Sequence, residues 1–139
     1  MTRINCVPPA ELHTKHLVAE YRELPRVFKL AEAAAKRGGH VPLAAYTLGT
    51  GHVKFFYTRL GYCSRRFFQL KEEMLRRGYK PSYPYPPLVE VGTDWFQDWE
   101  PTTDALQLNR ARLALRQPKT DASRPTRQFS SLGLSLSHV

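Results

Sequence analysis

GHVKFFYTRLGYCSRRFFQLKEEMLRR, residues 51–77, carries the strongest periodic signal in the chain. Val53, Phe56, Tyr57, Leu60, Cys63, Phe67, Leu70 and Met74 hold a three/four spacing, which lines side chains along one face of an α-helix. Lys54, Arg65, Arg66, Glu72, Glu73, Arg76 and Arg77 fall on the other side and read as a solvated face. Gly78 supplies the residue that commonly ends a helix in the left-handed region. The pattern predicts one helix over 51–77 with its aromatics in the core, and Gly61 inside it costs about 1 kcal/mol relative to alanine.

Working toward the N-terminus, residues 40–50 contain Pro42 and Gly49 and read as a connector. Before them, Leu12, His16, Ala19 and Glu23 recur at helical spacing, and Val27, Leu30, Ala31 and Ala34 continue the pattern up to Gly38 and Gly39. With Pro8 and Pro9 suited to a helix entry, this predicts a helix over 9–37 that kinks at Pro25, where the amide that would bond the Tyr21 carbonyl is missing. His16 and Glu23 share a face of that helix. Arg22 and Arg26 stand four apart, a like-charge pair that weakens an isolated helix by a few tenths of a kcal/mol. Glu23 answers one of these charges, and a phosphate backbone is the kind of anion that would answer the rest, together with Arg3.

Toward the C-terminus, residues 79–101 fit neither helical nor strand period. Pro81, Pro84, Pro86 and Pro87 keep this stretch extended, so it reads as an ordered loop that packs Tyr83, Tyr85, Trp95, Phe96 and Trp99 across the helices. A third helix opens at Thr102 or Thr103 as N-cap and runs to about Arg116, ahead of Pro118. The fold class expected is therefore all-α, a compact single domain of three main helices with long ordered loops over 1–118. Residues 119–139, rich in Ser, Thr and Pro, read as a flexible basic tail.

The chain is 139 residues long, 42% hydrophobic, and carries a formal net charge of +9. That excess points to a polyanionic partner, nucleic acid before membrane surface. The charge is uneven: residues 38–80 carry a net +6 and residues 81–104 a net −5. No apolar run approaches the roughly 18 residues of a membrane span, and the N-terminus lacks the apolar stretch of a signal peptide, so a cytoplasmic protein is expected. Cys6 and Cys63 stand apart and read as reduced thiols. His13, His16, His40, His52 and His138 show no close metal spacing, and no phosphate-binding glycine loop or serine elbow occurs, so neither a cofactor nor a metal is expected.

One group with chemistry available at neutral pH is the N-terminus. Thr2 is a small residue whose α-amine would be exposed by removal of the initiator methionine. With a reference pKa of about 7.7–8.0, roughly a quarter to two fifths of that amine is neutral near pH 7.5, against about one part in a thousand for lysine. Adding to a sugar carbon, it would form an imine, which needs a nearby carboxylate to stabilise cationic intermediates and move protons. Glu23 is a candidate for that carboxylate.

The segments MTRIN (1–5), HLVAEYRELPRVF (16–28), YTLGTGHVKFFYTRL (46–60) and EMLRRGY (73–79) resemble the phage-type endonuclease V family, pyrimidine-dimer DNA glycosylases with an associated abasic-site lyase. The similarity is dense over about residues 1–80 and looser over WEPTTDALQLNRARLALRQ (99–117). It implies a mostly helical domain whose N-terminal segment threads between helices to reach the site. It carries the nucleophile onto the Thr2 α-amine and the essential acid onto Glu23. Arg3, His16, Arg22 and Arg26 match positions around the lesion and its phosphates, and Arg112 and Arg116 stand where the third helix holds phosphates. The implied partner is double-stranded DNA containing UV lesions or abasic sites, bound by a monomer. The alternative is a DNA-binding protein or abasic-site lyase of the same fold without dimer specificity. The chain departs from the family at its end, RQFSSLGLSLSHV, where Phe129 is the one aromatic, and in the Tyr/Pro-rich loop at 79–87.

Overall fold

A computed structural model describes residues 3–117; Thr2 and the segment read as a basic tail lie outside the described residues. The fold is all-α. Its elements are α1 (Thr14–Arg37), α2 (His52–Phe55), α3 (Leu60–Arg76) and α4 (Thr103–Leu115), with short 3₁₀ turns at Pro9–Glu11 and Thr93–Trp95. Thus the helix expected from residue 9 starts at Thr14, because the proline pair closes only a 3₁₀ turn and His13 then caps α1 by accepting from the Lys15 amide at 3.0 Å. α1 runs uninterrupted through Pro25 and ends at Gly38, whose φ of 79° is open to glycine and whose amide bonds the Ala34 carbonyl at 3.1 Å.

α1 packs on α3. Leu17, Leu24, Phe28 and Ala31 of α1 and Leu60, Cys63, Phe67 and Leu70 of α3 are buried, as their helical spacing requires. Beyond α3, Gly78 at φ 92° lets the Tyr79 amide reach the Met74 carbonyl (2.9 Å) and its own amide reach Leu75 (3.0 Å), a Schellman closure of the helix.

The 51–77 stretch is two helices, not one. The backbone of the acidic loop enters beside the break: the Gln97 amide donates to the Thr58 carbonyl and the Tyr62 amide to the Gln97 carbonyl, both at 3.2 Å. Arg59 and Phe96 form an isolated antiparallel bridge there. Gly61 belongs to this contact, since a Cβ at that position would stand 2.5 Å from the Phe96 carbonyl oxygen. Its cost in helix propensity is offset by the close approach that only glycine permits.

The face of α3 read as solvated is partly buried. Arg66 and Glu73 are both inside, Arg66 because its side of the helix is turned toward the N-terminal segment. Of the five aromatics expected to pack from this loop, Trp95 and Trp99 lie partly buried against the core, and Tyr83 makes a ring contact while keeping an exposed edge. Tyr83 stacks on Tyr21 (5.4 Å between ring centroids), Trp95 lies against His40, and Trp99 joins Tyr46, Phe55, Phe56 and Tyr62 in an aromatic cluster. Tyr83, Tyr85 and Phe96 stay exposed. α4 opens as expected, with Thr102 Oγ1 accepting from the Ala105 amide at 3.0 Å. No described helix is long and apolar enough to cross a membrane.

Candidate active site

Residues 4–7 run buried through the middle of the molecule in no regular element, so their backbone polar groups need partners other than a ladder. Side chains supply them. His52 Nε2 accepts from the Ile4 amide (2.8 Å) and Tyr46 donates its hydroxyl to the Ile4 carbonyl (3.3 Å). Tyr62 donates to the Asn5 carbonyl (3.1 Å), and Arg66 Nη1 donates to the Val7 carbonyl (2.6 Å). Asn109 Oδ1 accepts from both the Cys6 and Val7 amides, at 2.6 and 3.1 Å. α2, α3, α4 and the 40–50 connector thereby hold one extended segment.

A carboxylate is buried beneath it. Glu20 accepts from Arg66 Nε (2.8 Å) and Nη2 (3.0 Å) and from the Asn5 amide group (2.9 Å), while Asn109 donates to Asn5 Oδ1 (2.8 Å). Burial alone would lower the Arg66 pKa, but the fork of bonds to Glu20 more than offsets it and holds the guanidinium firmly charged. The same burial raises the Cys6 thiol to about 11 and moves Tyr46 and Tyr62 upward as well, so these groups stay neutral donors.

Above this layer opens a cavity of ≈ 440 Å³ lined by Arg3, Asn5, His16, Ala19, Glu20, Glu23, Arg112, Leu113 and Arg116. α1 contributes His16, Ala19, Glu20 and Glu23, which at spacings of three and four face one way. Arg112 and Arg116 come from the end of α4, and Arg3 from the threaded segment. His16 Nε2 lies 3.1 Å from the Arg116 carbonyl oxygen, which can only accept, so that nitrogen carries the proton. Burial, then the positive charge of Arg112 and, further down, of Arg116, lowers the pKa of Arg3, with Tyr46 opposing. Three arginines line the same cavity as the half-buried Glu23, and with Glu20 already paired to Arg66 the excess positive charge attracts an anion.

The structure therefore brings together Arg3, His16, Glu23, Arg112 and Arg116. Arg22 and Arg26 are exposed on α1 and are not among the residues lining the cavity. Asn5, Glu20, Arg66, His52 and Asn109 escaped the sequence reading; a mid-helix Asn and a Glu one turn before Glu23 were the signals available for two of them. A hollow of ≈ 510 Å³ on the outside of α3, lined by Arg65, Phe68, Gln69, Lys71, Glu72 and Leu75, draws on a single helix and gathers no comparable set. Among the described residues no group of His, Cys, Asp and Glu is arranged to hold a metal ion.

The family described as pyrimidine dimer DNA glycosylase matches the chain over residues 1–86, more than half of its length. The chain belongs to that family. It is accordingly a DNA glycosylase of DNA repair, with DNA as its substrate. The matched span contains Arg3, His16, Glu20 and Glu23 together with His52 and Arg66, whereas α4, with Asn109, Arg112 and Arg116, lies beyond it. Glycosylase chemistry needs a base released from C1′ of a deoxyribose, and a carboxylate lining the cavity is suited to the positive charge that develops there, as the guanidinium groups are to phosphates.

Proposed function

We propose that this glycosylase excises cyclobutane pyrimidine dimers and then cuts the strand as an abasic-site lyase, with the α-amine of Thr2 as nucleophile and Glu23 as the acid. The neutral amine attacks C1′ of the 5′ nucleotide of the dimer. The C1′–N bond breaks, its electron pair leaves with the base, and the added nitrogen loses a proton. Its lone pair then opens the sugar by expelling O4′, which takes up a proton, and an imine remains. Loss of a C2′ proton then expels the phosphate from C3′, which cleaves the strand on the 3′ side.

The observation that carries this reading is the cavity itself. It joins Glu23 to Arg3, a residue covalently next to Thr2, under three guanidinium groups able to take phosphates. Glu23 would stabilise the cationic sugar and imine and assist proton transfer, a contribution of several kcal/mol when preorganised. Arg22 and Arg26, exposed one face away, would engage the backbone farther along the duplex. Kinking of the DNA at the damaged step would open access to C1′.

The enzyme is proposed to act as a monomeric domain spanning residues 1–118, with 119–139 as an accessory basic tail. The second reading is a DNA-binding protein or abasic-site lyase of the same fold without dimer specificity, for which the chain's departures from the family at RQFSSLGLSLSHV and in the Tyr/Pro-rich loop at 79–87 speak.

Borohydride trapping tests both. The Met-processed protein is mixed with borohydride and an oligonucleotide duplex carrying either a cyclobutane dimer or an abasic site. A covalent adduct on both, mapped to Thr2, is the expected result. An adduct on abasic DNA alone would establish the lyase form of the second reading, and none on either would remove the imine.

A further inference from the structure

The backbone is bonded near the start of the described chain at Ile4. Its amide and its carbonyl are each bonded by a buried side chain, His52 on one side and Tyr46 on the other. Neither residue lines the cavity, and neither has a part in the chemistry above. His52 is 1% exposed and is itself fixed: its Nδ1 lies 2.8 Å from the Thr47 carbonyl oxygen, which obliges Nδ1 to donate and leaves Nε2 unprotonated as the acceptor for Ile4. The Tyr46 ring meets the His52 ring edge-on at 5.5 Å, so the two clamp groups are packed against each other. The backbone at Gly51 has φ 89° and a Cβ there would press Leu43 at 3.1 Å, which ties the turn carrying His52 to the connector carrying Tyr46.

We infer that His52, acting through the Ile4 amide and seconded by Tyr46, is a positioning residue that fixes where the N-terminal amine attacks. The inference rests on the amine reading given above. The Thr2 nitrogen is two residues from Ile4, at most about 7 Å of extended chain, so few bonds separate the clamp from the nucleophile. An attacking nitrogen must come within about 3–3.5 Å of C1′ along the right direction, and a misplacement of 1 Å can cost about a hundredfold in rate. A bonded Ile4 fixes the backbone from which those two residues extend, so only their few torsions separate a held point from the amine. His52 thus supplies geometry rather than protons.

The test measures single-turnover borohydride trapping on abasic-site duplex, with the affinity for the same duplex measured separately. His52→Leu removes the acceptor, His52→Gln keeps an amide oxygen near the place of Nε2, and Tyr46→Phe removes only the hydroxyl. The rate on bound DNA is expected to fall about ten- to a hundredfold in His52→Leu. It should recover largely in His52→Gln and fall severalfold in Tyr46→Phe, with DNA affinity unchanged throughout. Purely structural residues would lower the folded fraction and the adduct amplitude, and the rate constant of the remaining molecules would stay at the wild-type value; that outcome overturns the inference. If His52→Leu fails to fold, Tyr46→Phe decides it, and a wild-type rate in that variant would overturn it. Absence of any wild-type adduct would remove the amine reading and this inference together, whereas a wild-type adduct with unaltered variant rates would remove the inference alone.

Discussion

Glu20 and Glu23 stand three residues apart on one face of α1 and meet opposite surroundings. Glu20 is 2% exposed and spends its oxygens on Arg66 and Asn5. Glu23 is half-buried, faces the cavity, and has Arg3, Arg112 and Arg116 around the same space. The difference is one of commitment. A carboxylate at the floor of the cavity with both oxygens bonded is a structural bolt, while one more open to a cationic cavity keeps capacity for a ligand that arrives later. The bolt also locates the cavity, because Asn5 links Glu20 to the threaded segment and to Asn109 of α4.

The sharpest way to break that contrast is to remove the bolt. Glu20→Ala leaves Arg66 charged and buried without its partner, and losing one member of such a pair costs about 3–5 kcal/mol. Urea unfolding should show a loss of that order, and a midpoint at the wild-type value would mean that the network carries little of the fold.

A smaller effect follows from the clamp beside it. His52 is pushed from its ordinary range down to about 4, chiefly by burial, with Arg3 and Arg112 adding to the shift and the bond to Thr47 opposing it. The folded histidine therefore stays neutral while the unfolded one takes up a proton below about 6.5. Stability is full above that pH and falls as pH drops toward 4, by at most about 1.4 kcal/mol per pH unit for one proton. Arg3, Arg112 and the Tyr46 ring are the charged or titratable groups that face it. Unfolding followed between pH 7 and pH 4 should lose this part of the slope in His52→Gln; an identical slope in both proteins would place the titration elsewhere.

The weakest effects belong to the exposed arginines. Arg22→Ala and Arg26→Ala should each leave the fold intact and reduce the salt dependence of DNA binding by about one unit of log-log slope. An unchanged slope would separate these residues from the phosphates.

The α3 stripe was plain in the sequence because Phe67 and Leu70 must repeat at the period of the helix they build. The stripe read on α1 was right only in part: Val27, Ala31 and Ala34 are buried, but Leu30 is exposed, and the first half of the helix buries Leu17, Tyr21 and Leu24 in place of His16, Ala19 and Glu23. The caps at Thr102, Gly38 and Gly78, whose chemistry is local, were plain as well. What the spacing could not reveal is contact made across the chain. The break between α2 and α3 is imposed by the backbone of Phe96 and Gln97, some 35 residues away, and Gly61 records that visit without naming the visitor. Arg66 read as surface because charge on a polar helix face ordinarily meets water. Here it meets the Val7 carbonyl and Glu20. Likewise, the resemblance singled out Glu23, but only the fold tells it apart from Glu20.

The division of labour between the two carboxylates is tested most directly by Glu23→Gln, in which melting, affinity for abasic-site duplex and single-turnover cleavage are measured on one preparation. Wild-type melting and affinity with cleavage lowered by about a hundredfold or more is the predicted result. Cleavage at the wild-type rate, or a loss of stability matching that of Glu20→Ala, would contradict it.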